Sequence, residues 1–289
     1  MFIQPASSSS NLVEILVDTR RDQGANLAEP PGTSPRSEVT VVIVSRGRAE
    51  ISEAIESVCR QDYTDPIRLL VLGDNWPELL CPVPSKQGIE TTIYNCKRAT
   101  GGPEPDPYRR VAYLRNLATT LVTTRRLCFL DDDNVWEPTH LSTLTAVIDD
   151  SQCVAVHSWR RLVDRHGHPV LPKRYPWLPP GPQADSLFAV YAQHGVMDPR
   201  DCVIRDRATL PVADRDYGMV DMGEWLFDRE LFSIVHFDDQ GTSDKYQLHT
   251  GEDDKLLHEI RRLAIPVACS QEATLCYRLG GFSNDFNAG

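Results

Sequence analysis

The chain has 289 residues, 41% hydrophobic and 25% charged, the balance of a soluble globular protein with room for one large domain or two modest ones. A formal net charge of −11 excludes non-specific nucleic-acid binding, which needs a basic surface, and leaves phosphate binding to a metal ion or a few arginines. No apolar run reaches the roughly 20 residues of a membrane span, and the N-terminus lacks the basic and apolar regions of a signal peptide.

In chain order, residues 1–38 read as a flexible tail rich in Ser, Pro and Gly, with "NLVEILV" as a short docked element. "VTVVIVS", residues 39–45, is a β-branched run of the type buried on both faces of a parallel sheet. "EISEAIESVCRQ" follows as a helix, with Ile51, Ala54, Ile55, Val58 and Cys59 on one face. "IRLLVLGDN" and "TTIYNC" are the next strands. "VAYLRNLATTLV" is a helix with Val111, Leu114, Ala118, Leu121 and Val122 inward. "RLCFL" is a strand and "THLSTLTAVIDD" a helix with Pro138 near its start. This alternation predicts a doubly wound α/β sheet, whose ligands bind beyond the carboxyl ends of the strands. Ser45 and Arg46, Gly73 to Asn75, and Asp131 to Asp133 all fall there.

The second half is less regular. "CVAVHSWRRLVDRHGHPVL" predicts two strands about a turn, and "KRYPWLPPGPQ" a proline-rich loop. "YGMVDMGEWLFDRELF" carries aromatics expected to be exposed, then a short helix. "GEDDKLLHEIRRLAI" is a helix opened by three acids, a placement its dipole favours. "ATLCYRL" is a last strand, and residues 283–289 read as a flexible end. None of the eight cysteines forms a CxxC pair, and most lie in apolar runs, so a reduced, cytoplasmic protein is expected.

The chemistry centres on Asp131, Asp132 and Asp133. Three adjacent carboxylates repel one another. Read alone, they form a solvated turn or cap the next helix. Delivered by a buried strand to the ligand edge, they suit Mg²⁺ or Mn²⁺ shared with phosphates. Two enzyme classes place acids so. A haloacid-dehalogenase-type phosphatase would use Asp131 as nucleophile. A nucleotide-sugar glycosyltransferase would hold a metal on the diphosphate. The elements ahead of the triplet favour the second, because the phosphatase nucleophile usually ends the first strand. A non-catalytic nucleotide-sugar-binding module is the remaining alternative.

From residue 39 to 282 the chain resembles a family 2, GT-A-fold glycosyltransferase. The resemblance rests on "VTVVIVSRGRAEISEAIESVCRQDY", "VLGDNW", "YLRNLATTLVTTRRLCFLDDDN" and "GEDDKLLHEI", in that order. It implies a Rossmann-like nucleotide-binding half with a mixed central sheet over 39–136 and an acceptor-binding half over 137–282. The implied reaction moves a sugar from a nucleotide diphosphate sugar, UDP- or dTDP-type, to an acceptor hydroxyl, with inversion, as in a hexosyltransferase.

By the same resemblance, Ser45, Arg46, Asp74 and Arg115 bind the nucleotide, with Asp74 accepting from an imide N–H such as that of uracil. Asp132 lies near the ribose and Asp133 binds Mn²⁺ or Mg²⁺. Its metal partner is Asp131 in a DxD register or Asp132 in a DD register. Asp253 is the general base, Glu252 binds acceptor hydroxyls or orients the site, and Asp254 is a cap or supporting group. Glu224 and Trp225, in "DMGEWLF", form acceptor wall, Trp225 stacking on a sugar; a core position is its other reading. One departure stands out: "LCYRLGGFSN" lacks the histidine that many relatives supply to the metal. His249 lies in a loop, and His258 falls five residues past Asp253 and points elsewhere.

Overall fold

A computed structural model describes residues 15–20, 38–76, 89–98, 106–240, 251–281 and 284. The elements are β1 (Ile15–Arg20), β2 (Val39–Ser45), α1 (Ile51–Cys59), β3 (Ile67–Asp74), β4 (Ile89–Cys96), α2 (Pro107–Leu121) and β5 (Arg126–Asp131). Then come β6 (Val135–Trp136), α3 (His140–Ser151), β7 (Ala155–Val163), α4 (Pro182–Gln193), β8 (Val203–Ile204), β9 (Pro211–Val212) and β10 (Arg215–Asp216). The last are β11 (Trp225–Asp228), α5 (Glu252–Arg262) and β12 (Val267–Arg278).

Ten strands form one sheet in the order β1-β4-β3-β2-β5-β11-β7-β12-β6, with β8 beside β7. β4, β3, β2 and β5 are parallel, and β11 runs antiparallel between β5 and β7. The chain winds outward from β2 through β3 to β4, then returns to the other side of β2 with β5. The carboxyl ends of β2 and β5 therefore meet at a topological switch point.

Alternation along β2 explains why both sheet faces are covered. Val39, Val41 and Ile43 pack with Ile51, Ala54 and Ile55 of α1 and Leu141 and Leu144 of α3. Val42 turns the other way, to Ala112, Leu114 and Ala118 of α2 and Leu256, Leu257 and Ile260 of α5. Each fully buried aliphatic side chain contributes about 1.5–3 kcal/mol. A third cluster, with Leu162, Tyr191, Met197 and Tyr277, gives the C-terminal half its own core.

Several expectations change. Within residues 1–38, β1 overlaps the expected docked element "NLVEILV" and pairs antiparallel with β4. Only a single bridge, Val163 to Pro169, follows the "DRHGH" turn instead of a second strand. Helix α4 was not foreseen, because its start lies inside the proline-rich segment, with Pro182 in its first turn. The aromatics of 225–227 are buried rather than exposed: Trp225 is 2% and Phe227 0% accessible. Among the described residues the cysteines are unbridged, and no helix is long and apolar enough to cross a membrane.

Candidate active site

The switch point is closed by one hydrogen bond. Ser45, the last residue of β2, donates its hydroxyl to Asp132 Oδ2 at 2.6 Å. Gly47 then turns the chain with φ +84°, and its N–H donates to Ser45 Oγ at 2.9 Å. The left-handed turn favours glycine there. Behind the turn, Trp76 donates from Nε1 to the Ser45 carbonyl at 2.8 Å. Its ring lies so close to Gly73 that a Cβ there would stand 2.7 Å from Trp76 Cδ2.

The triplet does not act as a unit. Asp131 turns to Arg115, whose Nη2 donates to Oδ1 at 2.7 Å. Asp132 and Asp133 turn to Arg48: Nη1 lies 2.7 Å from Asp133 Oδ2 and 3.8 Å from Asp132 Oδ1. Burial and the charges of Asp131 and Asp132 push the Asp133 carboxyl up to about 6. The capping alternative does not hold, because α3 begins at His140 and its N-cap position is Thr139.

Arg115 sits on the sheet-facing side of α2 with its side chain 3% exposed. A buried guanidinium needs compensation, and it has two partners: Asp131, and Glu252 Oε1 at 2.6 Å from Nη1. Glu252 and Asp253 open α5, where the helix N-terminus favours acids. Asp253 Oδ1 accepts from the Asp254 N–H at 2.9 Å. Burial, then Asp254, Glu252 and Asp221, raise the Asp253 carboxyl well above the usual carboxylate range. Five carboxyls, those of residues 131–133, 252 and 253, thus gather about two guanidiniums, those of Arg48 and Arg115, while Asp254 faces Arg160 and Arg261.

At the end of β3, Asp74 is gripped by Arg98 and by Arg110 Nε, the latter at 2.8 Å. Burial raises its carboxyl, but the two guanidiniums outweigh burial and hold it below its ordinary value. Arg46 lies exposed on the loop after β2.

The fold is GT-A-like. No protein-family model matches the chain, and no curated protein does. Among solved structures, the chain is similar to residues 1–349 of S. aureus TarS in complex with UDP-GlcNAc, with a TM-score of 0.51 and 14% identity over 88% of this chain and 61% of that one. The TarS complex with UDP gives a TM-score of 0.50 and 13% identity over 84% and 60%. The chain thus spans about three fifths of the length of the TarS structures it matches.

Of the residues expected at the site, the structure brings together Ser45, Asp131, Asp132, Asp133, Arg115, Glu252 and Asp253. It does not bring in the expected acceptor wall. Trp225 is in the core of β11, stacked on Phe227 at 5.2 Å, with no face for a sugar. Glu224 is fully buried: its Oε2 accepts from the Asp221 N–H at 2.7 Å. The continuous apolar run "WLF" on a central strand was the signal for burial on both faces.

Glu224 belongs to a buried cluster instead. Arg160 donates to Asp206 at 3.1 Å and Asp221 at 3.0 Å, and stacks 4.2 Å from the Trp177 ring centroid. Trp177 is only partly buried and donates from Nε1 to the Tyr277 hydroxyl at 3.0 Å. His258 lines a separate groove with Asp216, Arg261 and Val267, and His249 lies outside the described residues. Arg48 was missed by sequence reasoning. Only its place in the loop after β2, two residues past Arg46, could have suggested it.

The donor chemistry fits a divalent ion at one place. Asp132 Oδ1 and Asp133 Oδ2 already flank a cationic nitrogen. Asp131 is turned to Arg115, so the adjacent pair is the one that converges. Among the described residues, no three His, Cys, Asp or Glu side chains converge on one point. One or two carboxylates, completed by phosphate oxygens and water, are an ordinary shell for Mg²⁺.

Proposed function

We propose that the protein is a glycosyltransferase moving a sugar from a UDP- or dTDP-type nucleotide diphosphate sugar to an acceptor hydroxyl, with inversion. The observation that carries this reading is Arg115, which ties Asp131 at the end of β5 to Glu252 at the start of α5. Acids suited to a diphosphate-bound cation and acids suited to proton transfer thereby share one site at the switch point. The GT-A-like fold, and the UDP-GlcNAc bound to TarS, support the donor class.

Asp132 and Asp133 would hold Mn²⁺ or Mg²⁺, with donor oxygens and water completing the shell. A divalent ion there supplies positive charge to a departing diphosphate. Ser45 holds Asp132 in place from β2. Arg115 fixes Asp131 and Glu252 and keeps both from repelling the phosphates fully. Asp253 is the base. Its raised proton affinity suits a carboxylate that takes the acceptor's proton while the oxygen attacks the anomeric carbon. One base and one displacement give inversion. The phosphatase alternative requires Asp131 as a free nucleophile, and its pairing with buried Arg115 does not favour that.

A thermal-shift screen with UDP, dTDP and GDP sugars, each with and without Mn²⁺, tests the reading. A UDP or dTDP sugar is expected to raise the melting temperature, more so with Mn²⁺. The absence of any nucleotide shift would remove it.

A further inference from the structure

Arg48 stands where the two converging carboxylates leave room for a cation. Its Nη1 is 2.7 Å from Asp133 Oδ2 and 3.8 Å from Asp132 Oδ1. Asp132 is held from behind by Ser45, so its free oxygen keeps facing this point. On another side Asp133 Oδ2 is backed by Gly281, where even a Cβ would come within 2.8 Å. The route to Asp133 Oδ2 through the space that Arg48 fills is therefore the one that serves both carboxylates.

The arginine is also built to leave. Its side chain is 38% exposed, against 3% for Arg115. A half-exposed guanidinium can swing into water at little cost, whereas a buried one cannot. Five carboxyls about two guanidiniums keep the region short of positive charge, so an incoming divalent ion gains more there than the single charge it displaces.

We propose that Arg48 is a built-in counter-ion occupying the divalent-cation seat of Asp132 and Asp133, and that the cation enters by displacing it. This rests on the metal-dependent reading above. Arg48 then lowers affinity for free metal ions and is released toward the donor diphosphate when metal and donor arrive together. A guanidinium freed there has a natural ligand in phosphate oxygens. The consequence is a site that resists loading with metal alone and loads metal with nucleotide.

The test is Mn²⁺ binding to the full chain, read from the electron paramagnetic resonance signal of free Mn²⁺, without nucleotide and with UDP. Arg48→Ala and Arg48→Gln are expected to bind Mn²⁺ about tenfold more tightly than wild type without nucleotide, the scale of removing a partly screened neighbouring charge. With UDP the gap should close or reverse. Asp133→Asn should lose binding in either background. Equal or weaker Mn²⁺ binding by both Arg48 variants overturns the proposal and leaves the metal-dependent reading standing. Mn²⁺ binding unaffected by Asp133→Asn overturns the assigned seat. If no variant binds Mn²⁺ even with UDP, both this proposal and metal dependence fall. The donor reading is judged separately, by the nucleotide thermal shift.

Discussion

Arg115 and Glu252 lie 137 positions apart in sequence and form a 2.6 Å ion pair inside the protein. The same guanidinium holds Asp131, so one side chain joins two acidic motifs that would otherwise repel. Arg115→Ala leaves the largely buried Glu252, and Asp131 with its side chain 37% exposed, without their counter-charge. Breaking a buried pair in this way costs about 3–5 kcal/mol. Urea unfolding should show that loss; a change under about 1 kcal/mol would mean the carboxylates find another partner.

Asp253→Asn keeps the size and the local hydrogen bond of the side chain but cannot take a proton. Donor binding should persist while turnover falls about 10²–10⁴-fold. Because a base must be ionised to work, wild-type activity is lost as pH falls through the raised Asp253 pKa. The acid limb should lie well above the ordinary Asp value of about 3.9. Unchanged turnover in Asp253→Asn would take this residue out of the mechanism.

Asp133→Asn removes one of the two oxygens that flank the cation seat. EDTA should abolish turnover of the wild type, and Mn²⁺ or Mg²⁺ should restore it. The variant should lose about a hundredfold or more and respond little to added metal. Wild-type turnover that is indifferent to EDTA would contradict metal dependence.

Glu224 Oε1 and Asp206 Oδ2 are both buried without a partner of their own, and the two side chains are in hydrogen-bonding contact. A proton between them resolves both. Burial pushes Asp206 up to about 6 and Asp221 up to about 7, and raises Glu224 well above its usual value. Unfolded acids titrate near about 4. Between about pH 4 and 7 the folded chain thus holds more protons than the unfolded one, and these groups make stability fall as pH rises. Glu224→Gln supplies a permanent neutral donor. Its melting temperature should fall less than that of wild type between pH 5 and pH 8. Parallel pH profiles for the two proteins would show that Glu224 carries no shared proton.

The donor side of the sheet was legible because local pattern and tertiary role agree there. The β-branched run of β2 and the apolar stripe Ile51, Ala54, Ile55, Val58 and Cys59 of α1 are buried as their periodicities require. The burial of Arg115 was also legible, from its place beside the inward Leu114 and Ala118 of α2. The partners were not, because Glu252 is brought close only by the packing of α5. Trp225 misled because a residue next to "MGE" suggests a polar loop, while a central antiparallel strand buries both its faces. Arg48 carried no periodic signal, and only its distances to Asp132 and Asp133 reveal it.

Strand β11 has a mechanical consequence. It hydrogen-bonds to β5 on one side and to β7 on the other, and Trp225, Leu226 and Phe227 fill the core on both faces. β5 and β7 are therefore stitched into one continuous blade. Rocking one side against the other would tear ladders of backbone hydrogen bonds and open a packed seam. Residues on the connections at the rim of the sheet can therefore be exchanged while the blade beneath stays as it is.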